Sequence, residues 1–217
     1  MGGGYSPSRG GWDGGGGGGS PLETYDLVSQ REGKQQEVDQ LLSVMRDVQN
    51  QYGFNLDTEV AKMPAGSNAF AYYSYNMFEP DKGNVGVNQT YFNSQKIQNA
   101  YDDTVRLNFH PARGDKSAME AVIAHEMGHA VTGQIAGKRG KGLEDISNKI
   151  ITDARKKDPN NNRKLRNSDY AGKVSRYSMK NPAEAVAEAF ADVYCNGNKA
   201  KSASRYIVDT LNEYYGG

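Results

Sequence analysis

The sequence has little cysteine and no long apolar run, and each of these two shortages excludes a class of protein. Cys195 is the only cysteine among 217 residues, which excludes an internal disulfide and a multi-cysteine zinc site. The longest apolar runs are a few residues long, too short for a transmembrane helix, and the N-terminus lacks the apolar core of a Sec signal. We therefore expect a protein without a membrane span that is cytoplasmic, virion-associated or exported as cargo.

The sequence also lacks net charge, since 26 basic residues balance 26 acidic ones. This balance argues against a nucleic-acid partner held by overall charge. Locally, the segment 138–180 carries 13 basic and 5 acidic residues. Two interpretations apply to it: a solvated loop and helix surface, or a basic rim that selects acidic substrates or binds a polyanion.

Glycine is abundant, but it is concentrated at one end of the chain. Of the 26 glycines, 11 lie within the first 20 residues, where almost no side chain is available to bury. We expect residues 1–21 to be a disordered tether, through which a carrier or virion protein would be bound. Residues 22–217 are long enough for one domain.

Hydrophobic periodicity and turn signals predict an α+β fold that is mostly helical, with a small, mainly antiparallel sheet. The region 22–53 is predicted to be an N-terminal packing or partner helix, better patterned in its second half. A strand, a turn and a second strand are expected over 69–92, and a short strand over 106–109. Further helices are predicted at 117–135, 143–158, 181–194 and 203–215.

The predicted helix at 117–135 contains an H-E-x-x-H motif, His125 to His129. Residues four apart share one face of a helix, so His125 and His129 can direct both imidazoles at one ion, with Glu126 placed to hold a water molecule. Glu126 is also the only formal charge between Val122 and Ile135, and burying it is costly unless it is used. The motif predicts one catalytic zinc ion, with Glu126 as general base.

Several residues are candidates for the third ligand. His110 is the only other histidine, and Cys195 is a weaker candidate. Glu184, Glu188 and Asp192 are spaced by four, so they form a carboxylate stripe on one helix face, and three like charges on a stripe favour a cation opposite them.

Spacing leaves two assignments open for this stripe. In a thermolysin-like scheme Glu188 is the ligand and Asp192 supports it. In the other scheme Glu184 is the ligand and Glu188 lies behind a ligand histidine. Without a metal, Glu184 would only cap its own helix beside Asn181, and Glu188 would lie on a solvated helix face.

The sequence Tyr-Ser-Met-Lys-Asn-Pro-Ala-Glu-Ala-Val-Ala-Glu over 177–188, following His-Glu-Met-Gly-His, resembles the zincin metallopeptidases of the anthrax lethal factor catalytic-domain type. Related domains occur in phage head proteins and polymorphic toxins. The resemblance implies a gluzincin-like site with Glu184 as third zinc ligand, Tyr177 as an oxyanion-side hydroxyl, and Glu188 behind a ligand histidine. Pro182 and the basic connection depart from the pattern, so substrate choice does not transfer.

Together these features predict a zinc-dependent endopeptidase acting on protein or peptide substrates, with an extended substrate pairing to an edge of the strand at 85–92. One alternative is a phage virion or assembly module whose structural metal site is closed by a fourth ligand such as His110. Another is the peptidase domain of an effector or toxin.

Overall fold

The computed structural model describes residues 23–27, 29–64, 66–75, 83–161 and 165–217, so the predicted tether lies outside the described residues. Within these ranges the elements are β1 (Glu23–Asp26), α1 (Gln35–Tyr52), β2 (Asp57–Lys62), β3 (Ala71–Ser74), β4 (Asn84–Asn88), α2 (Ser94–Arg106), α3 (Ala118–Arg139), α4 (Leu143–Lys157), α5 (Asn167–Ala171), α6 (Pro182–Asn196) and α7 (Ser202–Gly216). Short 3₁₀ turns precede α2, α6 and α7. The predicted α+β class, mostly helical with a small sheet, is confirmed.

The sheet has four strands in the order β1-β2-β4-β3. The β1–β2 and β3–β4 pairs are antiparallel, whereas β2 and β4 are parallel. The predicted strand, turn and strand correspond to β3 and β4, although 76–82 lies outside the described residues. The prediction that a substrate pairs with a free edge of the strand at 85–92 is wrong. Strand β4 lies between β2 and β3, so both of its edges are already paired.

Helix α3 is the central element of the fold. Ser117 and Glu120 form the predicted capping box at its start, and Gly140 ends it in the left-handed conformation at φ 56°. All residues from Ala121 to Ala136 are buried. A helix buried on every side needs neighbours on every side, and α1, α2, α4, α6 and the β3 side of the sheet provide them.

Helices α3 and α6 pack closely because the residues between them are small. A Cβ atom at Gly128 would lie 2.8 Å from Phe190 Cβ and 2.9 Å from Ala187 Cα, so only glycine fits there. The alanines of α6 leave similarly little bulk on their side of the contact. The close approach places the histidines of α3 opposite the carboxylates of α6.

The helices predicted around α3, α4, α6 and α7 are confirmed, but at the periphery two predictions are wrong and one helix is missed. The first part of 22–53 is the strand β1 rather than helix. The predicted strand at 106–109 is absent: Arg106 is the last residue of α2, and 107–109 form a turn with Asn108 at φ 52°. Helix α2 was not predicted, because only Ile97 and Tyr101 are buried along it and its apolar stripe is thin.

None of the helices in the described ranges is both long and apolar enough to cross a membrane.

Candidate metal centre and active site

Three side chains from two helices converge at the contact between α3 and α6. His125 and His129 lie on α3, and Glu184 lies in the first turn of α6. Their ligand atoms all lie within 4.8 Å of one another, and all three residues are buried. Glu184 Oε2 is 3.1 Å from His125 Nε2 and 3.3 Å from His129 Nε2.

This donor set fits a zinc ion. Two imidazole nitrogens and one carboxylate oxygen are typical zinc ligands, and tetrahedral ligands bound at about 2.0–2.2 Å lie about 3.3–3.6 Å apart. The two measured spacings to Glu184 Oε2 fall at or just below that range. Because His125 Nδ1 donates to Glu188, its Nε2 can face the Glu184 carboxylate favourably in two ways, with the ring protonated or with a cation between the two atoms.

His125, His129 and Glu184 shift one another's pKa values. Burial lowers the pKa of His125, but hydrogen bonds to Glu184 and Glu188 outweigh it and raise that pKa well above its usual value. Burial raises the pKa of Glu184, but the two histidines hold it well below its usual range. The pKa of His129 is lowered, chiefly by burial.

Glu188 contacts the Nδ1 side of the His125 ring, whereas Glu184 contacts the Nε2 side. Glu188 Oε1 accepts from His125 Nδ1 at 2.8 Å and from His110 Nδ1 at 2.8 Å, and its Oε2 accepts from Ser175 Oγ at 2.7 Å. The carboxylate is only 1% exposed. Burial raises its pKa, but His110 and His125 overcome this effect and lower the pKa to about 2.

Glu126 lies beside the three groups and is the exception among them. It is 0% exposed, and neither carboxylate oxygen has a hydrogen-bond partner within the described residues. Burial raises its pKa to about 8, and the charge of His125, followed by the main-chain N–H of Tyr73 in β3, offsets this only in part. A buried, unsatisfied carboxylate is costly in a folded protein and indicates a functional role.

Tyr177 and Lys180 lie on the other side of Glu184. Tyr177 donates its hydroxyl to Glu184 Oε1 at 3.2 Å, and Lys180 Nζ donates to the Tyr177 oxygen at 3.0 Å and lies 3.5 Å from Glu184 Oε1. Burial, followed by the charge of Glu184, raises the pKa of Tyr177, so the hydroxyl keeps its proton. The two oxygens of Glu184 therefore face different partners.

Two of the sequence candidates lie apart from these groups. Asp192 accepts from Ser204 Oγ at 2.6 Å, from the Lys201 main-chain N–H at 3.0 Å and from Asn196 Nδ2 at 2.9 Å, so it joins α6 to the start of α7. Cys195 is a thiol without a disulfide, and burial raises its pKa to about 12.

Much of the basic segment 138–180 contacts residues of the chain itself. Lys157 forms an ion pair with Glu213 in α7, and Lys138 and Arg139 lie over the rings of Tyr215 and Tyr214. Lys156 and Arg166 pair with aspartates three residues away. These contacts agree with the solvated-surface interpretation, and only Lys180 reaches the site among the contacts described here.

The sequence interpretation missed Ser175 and Lys180, and it considered His110 only as a ligand. Lys180 had a detectable signal, since it follows Tyr177 by three residues and precedes Glu184 by four. Ser175 and His110 had no detectable sequence signal, because their contacts to Glu188 depend on how the loop before α3 packs against the loop before α6. Two main-chain hydrogen bonds join these loops: the Arg176 N–H donates to the Asn108 carbonyl, and the Tyr177 N–H donates to the Phe109 carbonyl.

A helical histidine pair, a glutamate from a second helix and a buried unpartnered carboxylate are the arrangement of a metal-dependent peptidase. The model of peptidase family M48 matches residues 34–147, just over half of the chain. The chain belongs to this family of zinc metallopeptidases. The match includes His125, Glu126 and His129 and ends before Tyr177 and Glu184. Neither the comparison with curated proteins nor the comparison with solved structures gives a match.

Proposed function

We propose that the chain is a zinc-dependent endopeptidase of gluzincin type, with His125, His129 and Glu184 holding one zinc ion and Glu126 acting as general base. The observation that carries this proposal is the fully buried Glu126 carboxylate, which lacks a partner beside three converging ligand atoms. Zinc supplies a Lewis acid when bound, lowering the pKa of a water molecule toward about 7 and polarising the peptide carbonyl. Membership of peptidase family M48 supports the general part of this proposal, that the chain is a metal-dependent peptidase.

The chain's own residues supply the proton transfers. Glu126 is ionised when a metal cation beside it offsets the burial that raises its pKa. One of its oxygens then accepts a proton from the attacking water, and the same group donates it to the amine nitrogen that leaves as the peptide bond breaks. Because neither oxygen has a partner among the described residues, the carboxylate need not break a hydrogen bond before it acts. Its burial also keeps bulk water from competing for the proton.

Tyr177 and Lys180 serve the oxyanion. The Tyr177 hydroxyl lies beside Glu184 Oε1 rather than Oε2, so it is next to the ligand set without belonging to it. Lys180 Nζ holds the phenol oxygen and adds positive charge on the same side. A neutral O–H donor backed by an ammonium suits the negative charge that develops on the carbonyl oxygen.

The oxyanion role predicts that Tyr177→Phe lowers kcat about 10- to 100-fold with a smaller change in KM, since one preorganised donor is lost. Zinc content should stay near that of the wild type, because Glu184 Oε2 keeps both histidine contacts. Steady-state kinetics with a peptide substrate and metal analysis of the same sample check both values. A kcat equal to wild type would contradict the role of Tyr177.

The structure favours an open coordination position over a closed structural site. In the virion or assembly alternative, His110 would be a fourth ligand, but its Nδ1 bonds Glu188 and it is not part of the converging group. The specific likeness to the lethal factor type, and any carrier, phage or toxin association, remain predictions from sequence.

We also propose that the substrate binds as an extended strand beside β3. Among the strands of the described residues, β3 is at one edge of the sheet and packs on α3, and its Tyr73 lies near Glu126. Pairing through the main chain supplies affinity with little demand on sequence.

The function is tested by zinc analysis and cleavage of a mixed peptide library. We expect about one zinc per chain, cleavage at internal peptide bonds, loss of cleavage with a chelator, and recovery when zinc is restored. Zinc-loaded protein that cleaves no member of the library would contradict the peptidase proposal. Cleavage that survives complete removal of zinc would contradict the metal's role.

A further inference from the structure

His110 makes an interaction with the proposed site that no ligand role explains. Its side chain is 0% exposed, and it reaches Glu188 from the loop between α2 and α3. The Glu188 oxygen that it contacts is also the one that His125 Nδ1 contacts, each at 2.8 Å. A carboxylate oxygen only accepts, so both imidazoles donate through Nδ1.

Three donors fix the Glu188 carboxylate from different directions. Ser175 Oγ holds Oε2 at 2.7 Å, and it is itself 2.7 Å from Ser178 Oγ. His110 and His125 share Oε1. With Ser175 and His110 both in place, the carboxylate cannot turn about its terminal bond, and the remaining contact sets the orientation of His125.

The His110 ring is also held in place by its neighbours. It stacks on Tyr101 with ring centroids 5.9 Å apart and an interplanar angle of 30°. On another side its centroid lies 4.9 Å from that of Tyr177. Since Tyr101 also donates its hydroxyl to Pro111 O at 3.1 Å, the same residue holds the loop and the ring.

We infer that His110 is a positioning residue, which orients the metal-ligating ring of His125 through Glu188 and supports the ring of Tyr177. The inference rests on the proposed function, in which His125 binds zinc. It assigns His110 a role in the metal centre without making it a ligand. Groups that orient a ligand histidine commonly alter metal affinity by 10- to 100-fold when removed.

The test compares His110→Phe with His110→Asn. Phenylalanine keeps a ring of similar size and loses the donor, whereas the asparagine amide nitrogen can occupy the place of Nδ1. We expect His110→Phe to weaken zinc binding about 3- to 30-fold, somewhat less than direct loss of a ligand's carboxylate partner, and His110→Asn to recover most of the affinity. Zinc dissociation constants are measured by competition with a chromophoric chelator.

Tyr101→Phe is the matched control. It removes the hydroxyl bond to Pro111 in the same loop and keeps both the stacked ring and the His110 to Glu188 bond. We expect its zinc affinity to stay within about twofold of wild type, even if its thermal stability falls. The visible spectrum of the cobalt-substituted protein gives a second readout, and it should change in His110→Phe but not in Tyr101→Phe.

Two results would overturn the inference: wild-type zinc affinity and cobalt spectrum in folded His110→Phe, or equal losses in His110→Phe and Tyr101→Phe. If His110→Phe does not fold, His110→Leu replaces it, because leucine is close to asparagine in size and has no donor. Weaker zinc binding in His110→Leu than in His110→Asn supports the donor role, and equal zinc affinity in the two overturns it. Failure of the proposed function itself is distinguishable, since wild-type protein would then bind no zinc or cleave no peptide.

Discussion

Glu126→Gln is expected to lower kcat by about 1,000-fold while leaving zinc bound, because the amide has the shape of the carboxylate but cannot accept the proton. Glu126 is 0% exposed and lacks hydrogen-bond partners within the described residues, so the replacement breaks no bond that the structure shows. Burial already drives Glu126 toward its neutral form near neutral pH, so a neutral amide of the same shape should change the free energy of unfolding little. Single-turnover kinetics on zinc-loaded protein measure the effect.

The matched control for this variant is Glu120→Gln, on the same helix six residues earlier. Glu120 accepts from the Ser117 main-chain N–H in the capping box and pairs with Lys116. The control should lose up to about 1 kcal/mol of stability and keep its activity. If Glu126→Gln retained more than about a tenth of wild-type kcat with one zinc bound, the general-base assignment would be wrong.

The sequence predicted the parts of the site that depend on a single helix. His125 and His129 share a face of α3 because they are four residues apart, whatever surrounds them. The choice between Glu184 and Glu188 was different, because both lie on one stripe of α6. Which of them faces His129 depends on how α6 is rotated and shifted against α3, and Gly128 and the α6 alanines set that contact.

Interactions between distant segments were the least predictable. His110 and Glu188 are 78 residues apart, and no local pattern connects them. Strand order has the same limitation, since β4 pairs with β2 on one side and β3 on the other. A sequence reveals that a strand is apolar and β-prone, but its neighbours are chosen by packing throughout the fold.

The assignment of the third ligand predicts an order of zinc affinities among three variants. Glu184→Ala should weaken zinc binding about 100- to 1,000-fold, because one of three protein ligands is lost. Glu188→Ala should cost about 10- to 100-fold, because it only releases the far side of His125. Asp192→Ala should leave zinc binding near wild type and lower stability by about 1–3 kcal/mol, since Ser204 and its other donors lose their acceptor.

Glutamine versions of the two glutamate variants guard against misfolding, since each keeps the side-chain volume inside the α3–α6 contact. The same order, with smaller steps, is expected from them. The thermolysin-like scheme requires the reverse, with Glu188 more important than Glu184 and Asp192 supporting the ligand. Chelator competition on all five proteins therefore decides between the two schemes. Zinc binding lost in Glu188→Gln but kept in Glu184→Gln would transfer the ligand role to Glu188, although Glu188 Oε1 is committed to His110 and to His125 Nδ1.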